Sequence, residues 1–268
     1  MQFILFIVAA LFLIACGDSN EEKLESTWYK PNVNTTWQWQ LSGDVNSSYN
    51  VEIYDIDLFD SNSTLVASLH KDGKKVICYF SAGSYENWRE DKADFPQDAL
   101  GYDMDGWAGE KWLDISHAGL ESVMKARLDL AKEKGCDGVE PDNMDGYDNN
   151  SSFALSEADQ LKYNKFIANE AHKRGLGVAL KNDLAQIVEL EPYFDFAVNE
   201  QCHKFNECSL LQPFIDANKA VLNAEYSSKY VNNINGARDV MCADSLALKF
   251  KTLVLPVNLD DSFRVSCD

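Results

Sequence analysis

Glu140 and Asp142 stand two residues apart at the end of Gly138-Val139-Glu140-Pro141-Asp142, a short run that continues as Asn143-Met144-Asp145-Gly146-Tyr147. On a strand, residues i and i+2 point to one face, so this spacing aims both carboxyl groups the same way. Pro141 between them is tolerated at a strand end. Two carboxyls where a strand meets its following loop can share acid–base or nucleophilic work, and that is where a (β/α) barrel keeps its chemistry. The plainer alternative is a solvated acidic loop with a weak Ca²⁺ site.

More polar side chains gather at the ends of other strand-like runs: Asp55 and Asp57, Tyr79 and Ser81, Lys181 and Asn182, Asn199 and Glu200, Glu225 and Tyr226. Burying so many acids without use would be costly. In a barrel they would ring one mouth, although any single one could be a structural hydrogen-bonding group. Other chemistries lack their residues. The four His, at 70, 117, 172 and 203, have no zinc-ligand spacing. There is no Gly-x-Ser-x-Gly elbow and no P-loop. No metal and no cofactor is therefore expected. What remains is chemistry with two carboxyl groups, and glycoside hydrolysis is its main user. Trp39 and the other aromatics offer flat faces for sugar rings, or simply belong to the core.

The elements that must position these groups read as alternating strands and helices. Strands are expected over residues 36–42, 51–57, 75–80, 138–142, 177–182, 194–200, 219–226 and 252–257, from short β-branched or aromatic runs bounded by turn residues. Helices are expected at 65–72, at 120–131 ahead of Gly135, after a Ser156/Asp159 capping box, at 185–191 and at 244–250. Three times a helix ends near a Gly and runs at once into an apolar strand, the rhythm of parallel strands joined by right-handed crossovers. Eight such strands predict an α/β fold, a closed (β/α)8 TIM barrel in one domain over 28–268. A doubly wound open sheet is the alternative, but the Gly-rich phosphate turn it would favour is missing. Residues 84–117 read as a long loop carrying Trp88, Trp107 and Trp112, and a loop of that length usually has a function.

The chain of 268 residues carries a formal charge of −19, with 46% hydrophobic residues. No basic block is available for phosphates, so nucleic-acid binding is not expected, and a cationic polymer is the partner that the charge would attract. Residues 1–16 read as a lipoprotein-type signal peptide. An apolar run too short to span a bilayer ends in Leu13-Ile14-Ala15-Cys16, which resembles the bacterial lipobox with lipidation at Cys16. It departs from that pattern in having no Lys or Arg ahead of the apolar run, and an ordinary cleaved signal is the alternative. Residues 17–27 read as a polar tether. The protein is thus expected to be exported, lipid-anchored at a bacterial membrane and monomeric. Six further Cys suit disulfides in an exported chain. Cys202 and Cys208 are the best pair, Cys242 with Cys267 would pin the C-terminus, and Cys78 and Cys136 are either paired or merely buried.

Taken together, Trp37-Gln38-Trp39-Gln40-Leu41, Tyr54-Asp55-Ile56-Asp57, Val76-Ile77-Cys78-Tyr79-Phe80-Ser81-Ala82-Gly83-Ser84-Tyr85-Glu86, Trp112-Leu113-Asp114-Ile115, Gly138-Val139-Glu140-Pro141-Asp142-Asn143, Lys181-Asn182 and Asn199-Glu200-Gln201-Cys202 resemble glycoside hydrolase family 114, the endo-α-1,4-polygalactosaminidases. The match spans nearly all of the chain after the signal, and only Met144 stands where Val would be expected. The resemblance implies a (β/α)8 barrel and an endo-acting, retaining hydrolysis of partly acetylated α-1,4-galactosamine polymers. It implies a catalytic pair at Asp142 and Glu200, with Asp142 favoured as nucleophile and Glu200 as acid/base. Trp39, Asp55, Asp57, Tyr79, Ser81, Glu140, Asn143, Lys181, Asn199, Glu225 and Tyr226 are the expected substrate-binding residues. A non-catalytic surface lipoprotein that binds aminosugar polysaccharide, or a glycosidase acting on another α-linked glycan, would use the same cleft.

Overall fold

The computed structural model describes residues 28–268. Nine strands form one sheet: β1 (Trp37–Gln40), β2 (Ile53–Asp57), β3 (Lys75–Ser81), β7 (Gly138–Asp142), β8 (Gly177–Lys181), β9 (Phe196–Glu200), β10 (Val221–Glu225), β11 (Lys251–Val254) and β12 (Val265–Ser266), in that spatial order. The first eight are parallel, and β12 lies antiparallel on β11. These eight are the eight expected from the sequence, with ends shifted by up to three residues, mostly inward; β3 runs one residue further and β11 starts one earlier. The short β4 (Ser84–Glu86), β5 (Leu100–Asp103) and β6 (Glu110–Leu113) make a separate three-stranded antiparallel sheet.

Alternation along each strand splits the core in two. Trp37, Trp39, Ile53, Ile77, Ala179, Phe196, Val198, Leu222, Ala224 and Leu253 form one buried cluster, the barrel interior. The residues between them, such as Tyr54, Ile56, Val76, Cys78, Phe80, Val139, Val178 and Val221, pack outward against helices. β1 meets β11 through side chains rather than a backbone ladder. Trp37 Nε1 donates to Lys251 O at 2.8 Å, and Arg264 donates to Trp37 O at 2.8 Å. Leu41 N then bonds Leu259 O at 3.0 Å just above.

The helices start and stop where sequence chemistry directs. In α1 (Ser63–Lys71) Asn62 caps Leu65 N, with Val66 and Leu69 buried. In α2 (Leu120–Lys134) Val123, Met124, Arg127, Leu128 and Ala131 face inward, and Gly135 ends it in the left-handed region. In α3 (Glu157–Lys173) Ser156 and Asp159 close a reciprocal capping box. Between β9 and β10, and between β10 and β11, only short helices and Ala237–Ala247 cover the sheet. No helix joins β1 to β2, because residues 41–52 return as a Ser- and Asn-rich loop.

Three disulfides brace this frame: Cys78–Cys136, Cys202–Cys208 and Cys242–Cys267. The first joins β3 to the segment entering β7, so those two cysteines are paired rather than merely buried. Disulfides of this kind place the chain among exported proteins. Among the described residues no helix is long and apolar enough to cross a membrane. Cys16 and the rest of 1–27 lie outside the described residues.

Candidate active site

At the carboxyl ends of the strands, the backbone around Asp142 is pinned before any side chain acts. Ala82 N and Gly83 N both donate to Asp142 O, at 2.8 and 3.0 Å. A Cβ on Gly83 would sit 1.7 Å from Asn143 O, so only glycine lets β3 pass that close to β7. Asn143 takes a positive φ of 61°, which Asn tolerates, and its amide N donates to Asp142 Oδ1 at 2.7 Å. Its Nδ2 bonds Ser81 Oγ at 2.8 Å, and Ser81 Oγ meets Ser84 Oγ at 2.6 Å. The Ser81-Ala82-Gly83 turn is therefore a clamp on the Asp142 backbone, and Ser81 is buried inside it rather than facing the cleft.

Lys181, 2% exposed, stands at the centre. Its Nζ is 3.0 Å from Asp142 Oδ1, 3.1 Å from Glu140 Oε1 and 3.4 Å from Glu200 Oε2, and it lies 4.9 Å above the Trp39 ring. Burial alone would lower its pKa, but Asp142, Glu200 and Glu140 together hold it well above the usual lysine value. Asp142 Oδ2 accepts from Tyr79 Oη at 3.0 Å, and Glu200 Oε1 accepts from Tyr226 Oη at 2.5 Å. Burial, then the adjoining carboxylate, raises both phenols well above their usual value, so each stays a donor. Asp142 and Glu200 keep 18% and 28% side-chain exposure, whereas Glu140 keeps none.

Below this layer Asp55 and Glu140 form a fully buried carboxyl pair. Burial pushes Glu140 up to about 7 against the pull of Lys181. Burial and the charge of Glu140 raise Asp55 well above the carboxylate range. Asp55 thus keeps its proton and faces Glu140 as a neutral acid.

A cleft of about 480 Å³ opens above Asp142 and Glu200. Of the residues expected to bind substrate, Trp39, Asp57, Tyr79, Asn143 and Lys181 line it. Asp57 is not free to face a ligand, because Arg89 grips it bidentately at 2.9 and 2.7 Å while also bonding Glu86 at 2.9 Å. Asp55, Ser81 and Glu140 lie beneath the floor. Asn199 and Glu225 are off the cleft wall for a different reason. They alternate with the inward-facing Val198, Glu200 and Ala224 and so leave this cleft: Asn199 lines a neighbouring groove, and Glu225 accepts from His203 N at 2.8 Å. Tyr226 reaches the site only through Glu200.

Much of the rest of the cleft comes from residues 84–117, which are not the loop expected from the sequence but the β4-β6-β5 sheet and its connections. They contribute Glu86, Trp88, Arg89, Trp107, Glu110 and Trp112. Trp88 and Trp107 are each 50% exposed, which suits a surface meant to be covered. The concentration of Trp and acids in 84–117 was the available signal. Its strands of three and four residues are too short to show a period.

Cys202, His203 and Cys208 bring three metal-type donors together, but both sulfurs are consumed in the disulfide.

The chain matches the model of glycoside-hydrolase family GH114 over residues 18–268. Among solved structures, Aspergillus fumigatus Ega3 in complex with galactosamine superposes with a TM-score of 0.84 at 41% identity, covering 89% of this chain and 97% of that one. The glycoside hydrolase domain of Pseudomonas aeruginosa PelA superposes with a TM-score of 0.67 at 13% identity, covering 86% and 98%, a likeness of fold. No match was found among curated proteins.

Proposed function

The chain belongs to glycoside-hydrolase family GH114, and from that premise we propose that it cleaves internal α-1,4 linkages of partly acetylated galactosamine polymers with retention of configuration. The observation that carries this reading is the pair of part-exposed carboxyls, Asp142 and Glu200, held by one buried ammonium at the floor of an aromatic cleft. Both carboxyls contact the one Lys181 Nζ, at 3.0 and 3.4 Å, a sharing that holds them on the same patch of floor, as a pair acting on one glycosidic bond must be. The 41% identical Ega3, solved with galactosamine, supports the same sugar here.

Asp142 is the nucleophile in this reading. Lys181, Asn143 N and Tyr79 Oη donate to it and fix its angle. Glu200 is the acid/base. It gives its proton to the glycosidic oxygen as Asp142 attacks the anomeric carbon, and the leaving chain departs with a new hydroxyl. Glu200 then takes a proton from water, whose oxygen displaces Asp142 from the sugar. Lys181 and Tyr226 steady the charge that appears on Glu200 between the two steps.

In the same proposal residues 1–16 direct export, Cys16 carries the lipid, 17–27 form the tether, and residues 28–268 work as a monomeric catalytic domain at the membrane surface. Reducing ends released from a partly de-N-acetylated α-1,4-galactosamine polymer, with oligomers as first products, test the activity. Binding without release would instead indicate a capture protein. Mass spectrometry of the mature N-terminus tests the anchor, and an unmodified N-terminus beyond Cys16 would exclude it.

A further inference from the structure

Beyond Glu200 a second groove of about 460 Å³ continues from the first and shares Asp145, Asn182 and Glu200 with it. Two of its residues carry acceptors that meet no hydrogen-bond donor among the described residues. Asp183, 3% exposed, turns Oδ2 to Asn164 Nδ2 at 2.8 Å and leaves Oδ1 without a partner. The Tyr147 hydroxyl lies within reach of Asp183 and would share that carboxylate with an incoming donor. Asn199, 1% exposed, commits Nδ2 to Asn182 and leaves its own Oδ1 bare. A buried acceptor left unpaired destabilises the fold, and an incoming donor removes that penalty.

The groove also carries apolar surface that a soluble chain would otherwise bury. Phe205 and Leu210 line it with 57% and 48% exposure. Phe205 lies inside the loop closed by Cys202–Cys208, so the disulfide holds this platform in place. Lys204 Nζ sits 4.7 Å from the Phe205 ring centre, and the ring stays open nonetheless.

Resting on the reading above, we propose that this groove, which Trp88 and Trp107 do not line, is a subsite for a de-N-acetylated hexosamine unit. The apolar face of the ring would cover Phe205, and its ammonium would donate to Asp183 and Asn199. An acetamide there has no charge to offer Asp183 and brings an extra acetyl group into the same space. The enzyme would thus read the acetylation pattern on this side of the cut. Burial holds Asp183 up at about 7 and Asp145 at about 6, so an arriving ammonium also draws off their protons.

The test uses α-1,4-galactosamine oligomers, fully de-N-acetylated or fully N-acetylated, with Asp183→Asn and Phe205→Ala. Asn keeps the shape of Asp183 and tolerates its φ of 47°. The kcat/KM ratio of amine to acetylated substrate should fall about tenfold in Asp183→Asn, through KM, while Phe205→Ala raises KM for both substrates. Should Asp183→Asn fail to fold, the exposed Asp148→Asn reads the same ratio, with an expected fall of about threefold. A ratio unchanged within twofold in a folded variant overturns the subsite and leaves the glycosidase reading intact. If the wild type cleaves neither oligomer, the glycosidase reading fails and calorimetry decides the groove. Amine-oligomer binding weakened tenfold by Asp183→Asn then supports the subsite; absent or undiminished binding overturns it.

Discussion

Replacing Lys181 by methionine keeps the stem and removes the ammonium. Among the described residues Lys181 is the one cation in salt-bridge contact with Glu140, Asp142 and Glu200, at 3.0–3.4 Å, and it is 2% exposed. Removing one partner of a buried ion pair costs about 3–5 kcal/mol. For a domain of this size each kcal/mol moves Tm by about 2–4 °C, so Tm should fall by about 6–20 °C at neutral pH. The loss has a pH signature. Lys181 is the largest influence holding the Glu140 pKa down, so the variant's carboxyl rises beyond about 7. A carboxyl raised above its unfolded value of about 4.3 binds protons in the folded state that the unfolded chain lacks, and stability then falls as pH rises through that window. The deficit should be small near pH 5, where Glu140 is protonated in both proteins, and large at pH 8. Calorimetric Tm of both proteins from pH 5 to 8 checks this, with activity at each pH. An equal Tm deficit at both ends, or activity within tenfold of wild type, would refute the idea that this ammonium sets the charge state of the site.

Three further outcomes follow from the same geometry. Asp142→Asn and Glu200→Gln should each lower kcat by several orders of magnitude with Tm within a few degrees, read by reducing-end assay and calorimetry; near-normal rates in either would refute the pair. Gly83→Ala should lose the close pass of β3 over Asn143 and depress both Tm and kcat, whereas Gly43→Ala, in open space, should depress Tm only through its backbone angle. Replacing Cys78 and Cys136 together by alanine should cost about 4 kcal/mol, against about 2 kcal/mol for Cys202 and Cys208, because the closed loop is longer; urea unfolding measures both.

The barrel was legible because each of its strands is a short apolar run ended by turn residues, and because three helices end on Gly just before a strand. The site was legible as a collection of residue types and less so as a surface. Glu140 and Asp142 do share a face, as i and i+2 must, yet nothing local says that one lies under the floor and the other on it. Adjacent candidates such as Asn199 and Glu200 cannot both face inward, and alternation assigns the inner face to Glu200 only once Val198 is known to be inside. Asp57 looked available because its partner Arg89 lies 32 residues further on, in a segment whose strands are too short to announce themselves.

The central claim is that Asp142 attacks the sugar while Glu200 moves the proton. Peptide mapping after treatment with a slow, fluorine-deactivated galactosaminyl fluoride tests it most directly, since a retaining enzyme accumulates the covalent glycosyl intermediate. The account predicts one added glycosyl group, carried by Asp142 and absent from Asp142→Asn. A label on Glu200 or any other residue, or turnover with inverted product and no label, would contradict it.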